Sequence, residues 1–408
     1  MPTNKTIITA NNYYYRRGGA ETVFLEQINY LEKENWNVIP FSMHHKNNND
    51  TPWNKYFVDE IEFGNQYSSI QKLKNAAKII YSTEANKKLG QLIKQVEPDI
   101  FHAHNIYHHI SPSIFKVVKQ NGIPSFLTLH DLKVACPAYK MLNSNGICEK
   151  CKNGGIYNVI SNKCIKDSLP LSTLIFAETL IHRILGLYKN HVDKIIVPSQ
   201  FYIDKFVEWG WSSNKFAYLP NFVDVNSFLP EYTVGNYFLF FGRLGHEKGV
   251  NTLIRAAHKA KVKLVIAGIG PENDCLQELA HALGADVEFI GYVSGEPLKK
   301  VIRDSRAIVI PSEWYENAPM TVLESYSLAK PVIGASIGGI PELIQEDKTG
   351  YTFESANVEQ LAEVLHKIDS MSEHQLLDMG RFARNVVTAH YTIEHHIERL
   401  LTIYKDVA

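Results

Sequence analysis

Short apolar runs alternate with stretches of helical spacing, and the alternation occurs twice along the chain. "KTIITAN" predicts a buried strand, "AETVFLEQINYLEKE" then places Phe24, Ile28 and Leu31 on one helical face, and "WNVIPFSM" turns extended again. That is a βαβ unit. The pattern recurs in "PDIFHAH", "PSFLTLH" and "DKIIVPS", and begins afresh at "YFLFFGR", "KLVIAGI", "VEFIGYV", "AIVIPSE" and "PVIGAS". Strands separated by helices imply parallel sheets, so an α/β fold with two sheets is expected. Residues 219 to 237 hold two prolines and no sustained period, and read as a linker. The expected boundaries are 1–220 for the first domain, 221–236 for the linker and 237–385 for the second domain, with a last helix over 386–408. No repeat of fixed period is evident.

With 408 residues, 45% of them hydrophobic, the chain can bury two cores of ordinary domain size. A formal net charge of −1 offers no overall attraction to nucleic acid, which is therefore not an expected partner. No apolar stretch of a signal peptide opens the chain and no apolar run is long enough to span a bilayer, so a cytoplasmic location is expected. Five cysteines would then be reduced thiols or metal ligands rather than disulfides.

"EWYENAPMTVLES" separates Glu316 from Glu324 by a proline and the start of a helix. Pro319 suits a first helical turn and Asn317 can cap its free amides, which predicts a helix from about Pro319 to Ala329. The amides at its start form an anion site at the carboxyl edge of a parallel sheet. Glu324 lies roughly 7–8 Å along that helix, a distance that suits a ribose if a pyrophosphate sits at the tip. Glu316 would stand on the other side, near an attached sugar. Taken alone, the pair is better explained by a local cap and a solvated helix residue. Arg243, at the end of "YFLFFGR", and Lys248, in the next turn, change that balance. Two cations there can neutralise a diphosphate as it departs, although surface charge or pairing with Glu247 would account for either one singly.

"FGRLGHEKGVNTLIRAA", "VEFIGYVS" and "EWYENAPMTVLESYSLAKPVIGASIGGIPELI" together resemble the donor domain of the retaining GT-B glycosyltransferases of family 4, including a Glu-x7-Glu signature. "RRGGAETVFLEQINYLEK", "PDIFHAHN", "FLTLHD" and "IIVPSQF" agree in the first half. The resemblance implies two Rossmann-like domains facing a cleft, with a nucleoside-diphosphate sugar of UDP or GDP type on the second domain and the acceptor on the first. It implies pyrophosphate contacts from Arg243 and Lys248, a ribose contact from Glu324, and a sugar contact from Glu316, which would also steady charge at the anomeric carbon. Gly18 and Gly19 would let the backbone approach phosphate or acceptor. His130 matches the family histidine near the transferring sugar, the amide of Val293 would meet the base, and Ala318 and Met320 would belong to the nucleotide-sugar site. Asn317-Ala318-Pro319 departs from the Gly-Phe-Gly often found there, and the proline removes one phosphate-binding amide. The family's final helix crosses back to brace the first domain. No Asp-x-Asp occurs, so the expected reaction is metal-independent front-face displacement with retention, the leaving phosphate taking the acceptor's proton. The expected acceptor is a saccharide or a lipid-linked one, in cell-surface glycan or lipopolysaccharide biosynthesis. A nucleotide-sugar epimerase on the same fold and a non-catalytic nucleotide-sugar-binding protein are the alternatives.

Cys136, Cys148, Cys151 and Cys164 lie in a Gly- and Asn-rich excursion at spacings that can surround a tetrahedral structural zinc; four reduced thiols or a labile disulfide are the competing readings. Cys275 reads as packing. His102, His104, His108 and His109 cluster in "HAHNIYHH" and carry no assigned catalytic role, and Gly268-x-Gly270 is ordinary βα-turn chemistry. Residues 69–96 hold six lysines against one glutamate, with Ile70, Leu73, Ala77 and Ile80 near helical spacing. A solvated helix and a peripheral contact with anionic lipid on the inner face of the membrane fit that stretch about equally.

Overall fold

The computed structural model describes residues 5–61, 68–143, 146–153 and 155–407. Six parallel strands form the first sheet: β1 (Thr6–Ala10), β2 (Asn37–Phe41), β3 (Ile100–Ala103), β4 (Ser125–Thr128), β5 (Lys194–Val197) and β6 (Phe216–Tyr218), in the order β2-β1-β3-β4-β5-β6. The second sheet holds β7 (Phe238–Phe241), β8 (Leu264–Ala267), β9 (Val287–Gly291), β10 (Ala307–Ile310), β11 (Val332–Ala335) and β12 (Gly350–Phe353), in the order β9-β8-β7-β10-β11-β12. These are two Rossmann-like α/β units, as expected. In the second sheet the strand order reverses between β7 and β10, and parallel sheets of this kind bind ligands at the carboxyl ends of the strands beside such a reversal.

Strands β3, β4, β7, β8, β10 and β11 are buried along their whole length, which is why they read as unbroken apolar runs. Pro40 lies in β2, an edge strand, where a missing N–H interrupts no ladder. β6 and β12 escaped the sequence reading. Both are short edge strands, one of three residues and one opening on a glycine, so neither carries a run of its own.

Residues 219–237 are anchored rather than loose. Val223 and Val225 are buried with Leu239 and Ile308, and the Val223 amide donates to the Tyr391 carbonyl at 2.9 Å. The helix Glu373–His390 packs on the second sheet through Ala383 and Val387. After the bend at Tyr391, the helix Ile393–Lys405 places Ile397, Leu400 and Tyr404 among Ile7, Phe24 and Phe126 of the first. Thr392 caps that last helix by accepting from the His395 amide.

The basic stretch is two helices, Ser69–Ile80 and Thr83–Val96, capped by Ser68 and Ser82. The second buries Ala85, Leu89, Leu92 and Ile93 in the core, whereas on the first Ile70 is 71% and Leu73 is 73% exposed. Among the described residues no helix is long and apolar enough to cross a membrane.

Candidate active site

A cavity of about 850 Å³ opens at the carboxyl ends of β7, β8 and β10, and is closed from the other side by Arg17, Gly18 and Gly19. Its lining includes Arg243, Lys248, Val293, Glu316 and Glu324. Residues scattered over more than three hundred positions therefore meet at one place, because each ends a strand or starts the helix after it.

Glu316 is buried, and its Oε1 accepts hydrogen bonds from Lys248 Nζ at 2.6 Å and Ser312 Oγ at 2.8 Å. Burial pushes its carboxyl up, but the Lys248 charge and these hydrogen bonds outweigh that and hold it below the usual value, so Glu316 is ionised. Lys248 Nζ also lies 5.3 Å from the centre of the Trp314 ring, which faces the same cavity. Arg243 pairs with Glu247 while lining the cavity, so the pairing weighed from the sequence is present without removing Arg243 from the site.

The helix after Glu316 runs from Met320 to Ser327, with Pro319 at its N-cap and no side chain capping its first amides. The expectation that Asn317 caps this helix is not met. Asn317 is turned to the other half of the molecule, where its Oδ1 accepts from Ser199 Oγ at 2.7 Å and its Nδ2 donates to the Leu129 carbonyl at 3.2 Å. The uncapped helix start, flanked by the cavity-lining Pro319 and Thr321, leaves amide donors for an anion. Glu324, one turn further on, has its carboxyl pushed up to about 7 by burial, with Lys299 opposing only in part.

Glycines bring the loops this close. A Cβ on Gly268 would stand 1.8 Å from the Gly242 carbonyl, and one on Gly339 would stand 1.8 Å from the Asn317 carbonyl. The Gly339 amide also donates to the Glu316 carbonyl at 2.8 Å, so the "SIGGIPE" loop braces the Glu316 loop from behind.

Residues 17–227 match the family described as Glycosyltransferase Family 4, and residues 227–386 match glycosyl transferases group 1. The chain belongs to glycosyltransferase family 4. An uncharacterised glycosyltransferase of Methanocaldococcus jannaschii is 38% identical to the transferase over 130 residues, which span 30% of this chain and 33% of that protein. An uncharacterised 42.6 kDa protein in the cps region of Klebsiella pneumoniae is 28% identical over 351 residues, 83% of this chain and 87% of that protein. Among solved structures, Anabaena HepE in complex with UDP-glucose superposes with a TM-score of 0.67 at 15% identity, covering 98% of this chain and 99% of that one. At that identity the likeness concerns the fold.

In the transferase His130 lies outside the lining of the cavity, and one of its ring nitrogens is 3.0 Å from His104 Nδ1. Burial lowers its titration to about 4, so its imidazole is neutral at pH 7. The Asn317 contact to Leu129 brings the His130 loop against the Glu316 loop all the same. Ala318 is buried and its carbonyl accepts from Asn221 Nδ2 at 2.9 Å, while Met320 packs beside Gly19. His102 is tied to Tyr404 at 2.6 Å and Thr128 at 2.8 Å, a structural role.

Cys136, Cys148, Cys151 and Cys164 line one cavity of about 10 Å³, so the insertion does gather them. Zinc is nevertheless not supported. Among the described residues no group of three or more His, Cys, Asp or Glu side chains is arranged to hold a metal ion. Burial and mutual repulsion push the Cys151 thiol up to about 12, and burial pushes Cys136 to about 11. Cys275 is exposed rather than packed.

Ser312, Trp314 and Arg17 were not among the residues expected at the site. Arg17 adjoins the Gly18-Gly19 pair and could have been found there. Ser312 and Trp314 carried no signal, since a serine and a tryptophan after a strand are unremarked until the loop folds over Lys248.

Proposed function

We propose that the transferase moves a sugar from a nucleoside-diphosphate sugar to a saccharide or lipid-linked acceptor, with retention of configuration and without a metal ion, in cell-surface glycan synthesis. One observation carries this reading: the Lys248–Glu316 pair, the uncapped helix start and Glu324 line the same cavity, in the order that a sugar, a diphosphate and a ribose would need. The UDP-glucose complex of the Anabaena protein and the cps-region origin of the Klebsiella relative support it.

In this reading Arg243 and Lys248 take the pyrophosphate, assisted by the amides around Ala318 and Met320. Glu324 takes the ribose hydroxyls, the Val293 amide takes the base, and Gly18 and Gly19 admit the phosphates close to the backbone. Glu316 holds the donor sugar's hydroxyls. The neutral His130 offers a hydrogen bond to the transferring sugar from the acceptor side. Positive charge gathered on the leaving diphosphate lowers the barrier to its departure, and its oxygen accepts the proton of the incoming hydroxyl on the same face.

A thermal-shift screen with UDP-, GDP- and ADP-sugars identifies the donor, and a transfer assay with chelator present, read by the anomeric coupling of the product, tests the chemistry. Inverted product, or a crystal soaked with the donor that shows it bound elsewhere, overturns the reading. Donor incubated alone should yield no epimer.

The location proposed is the cytoplasm, with peripheral contact at the inner membrane face through the helix Ser69–Ile80. Its exposed Ile70 and Leu73 stand among lysines, and the neighbouring helix Leu169–Ile184 exposes Leu180 and Ile184. Sedimentation with anionic vesicles at low salt tests this, and protein left in the supernatant refutes it.

A further inference from the structure

The Cys-rich insertion reaches the loop that carries Glu316. Glu149 stands between Cys148 and Cys151, and its Oε1 accepts hydrogen bonds from the Tyr315 hydroxyl and from Lys205 Nζ, both at 2.9 Å. Tyr315 immediately precedes Glu316. Its carbonyl accepts from the Tyr202 hydroxyl at 2.9 Å, and its ring lies 4.9 Å from that of Phe201. The first half of the chain thus grips this one residue by its hydroxyl, its ring and its backbone. Lys205 has a second carboxylate, Glu208, at 3.0 Å, so balancing that lysine does not by itself call for Glu149. Burial pushes the Tyr315 hydroxyl up to about 12, which keeps it a donor at any physiological pH. The Glu149 carboxyl is lowered, its hydrogen bonds to Lys205 and Tyr315 outweighing its burial, so the contact is a charge-assisted hydrogen bond.

We infer that Glu149 and Tyr315 form a latch across the cleft, by which the Cys-rich insertion positions the Glu316 loop for transfer. Glu149 is then a positioning residue, and the inference rests on the reading of Glu316 as a donor-sugar contact. Of the groups proposed for the nucleotide, Arg243, Lys248, Val293 and Glu324 lie in the second half of the chain outside residues 313–319, Gly18 and Gly19 lie in the first half, and only the Ala318 amide lies within the loop itself. Breaking the latch should loosen the loop and slow turnover far more than it weakens nucleotide binding, to which the loop contributes only the Ala318 amide.

The test uses the full chain and the variants Glu149→Ala, Tyr315→Phe and their combination. Deuterium exchange of the amides in residues 313–319 is the first readout, since it needs no donor. Each single variant should speed exchange there about tenfold, and the double variant no further, as expected for two partners of one hydrogen bond. Calorimetric titration with UDP and GDP should give the parent's Kd within about twofold. Tyr315→Phe keeps the ring contacts and loses one hydroxyl, so it decides the matter should Glu149→Ala fail to fold. Unchanged exchange in Tyr315→Phe, or additive effects in the double variant, overturns the latch. Glu316→Gln is assayed separately with the donor found by the screen. Normal transfer by that variant would remove the role given to Glu316 while leaving the exchange result standing.

Discussion

Glu324→Gln should make the protein more stable and a poorer binder of nucleotide at the same pH. Burial raises the Glu324 carboxyl from its ordinary 4.5 to about 7. Between those values the folded protein keeps a proton that the unfolded chain has released, so stability falls as pH rises through the window, and the full penalty applies above about 7. The interval from 4.5 to about 7 corresponds to about 3 kcal/mol. Because the side chain lines a cavity open to water, that is a ceiling, and about half of it is the working expectation. Glutamine removes the charge but keeps the shape. Differential scanning calorimetry at pH 8 should therefore show the variant melting several degrees above the parent, at roughly 2–4 °C per kcal/mol for a unit of this size. The difference should vanish below pH 4.5, where both chains carry a neutral group in either state. In the parent, affinity for UDP or GDP should fall as pH drops below about 7, because protonation takes away an acceptor for the ribose hydroxyls, and the variant should bind weakly without that dependence. Equal melting at pH 8, or a variant less stable there, would refute the account of Glu324 as a carboxyl strained by burial.

Lys248→Ala should abolish measurable transfer and cost about 3 kcal/mol near neutral pH, since it strands the buried Glu316 carboxylate. That cost should shrink as pH falls through the lowered titration of Glu316, which a pH series of urea melts would follow. Arg243→Ala should slow transfer at least tenfold and also lower stability, because Arg243 is half exposed but its partner Glu247 is buried and loses its cation. Gly339→Ala should lower the melting temperature by an amount equivalent to about 1–3 kcal/mol and reduce transfer, since the added methyl meets the Asn317 carbonyl behind Glu316. Leu400→Ala should cost about 2–5 kcal/mol by opening a hole among Ile7, Phe24 and Tyr404, with nucleotide affinity retained in the fraction that stays folded.

Neighbouring residues alone determined much of this protein. The alternation of apolar runs and helical spacing sets out ten of the twelve parallel strands, because a strand buried on both faces must be apolar along its length. The order Arg243, Lys248, Glu316, Glu324 was legible for a related reason: each sits at a strand end or a helix start, and the sheet's direction puts all such points on one edge. Residues distant in sequence settled the rest. Asn317 had the composition of a cap, yet its partners are Ser199 and Leu129, over a hundred positions away. Glu149 meets Tyr315 across 166 positions, and nothing around either residue announces the other. The four cysteines do gather, but the spacing that suggested zinc constrains only the chain between them and not the directions of their sulfurs. Glu324 is an ordinary carboxyl in the sequence. Only packing shields it in part from water, and that desolvation, a property of the assembled cavity, decides how tightly it holds its proton.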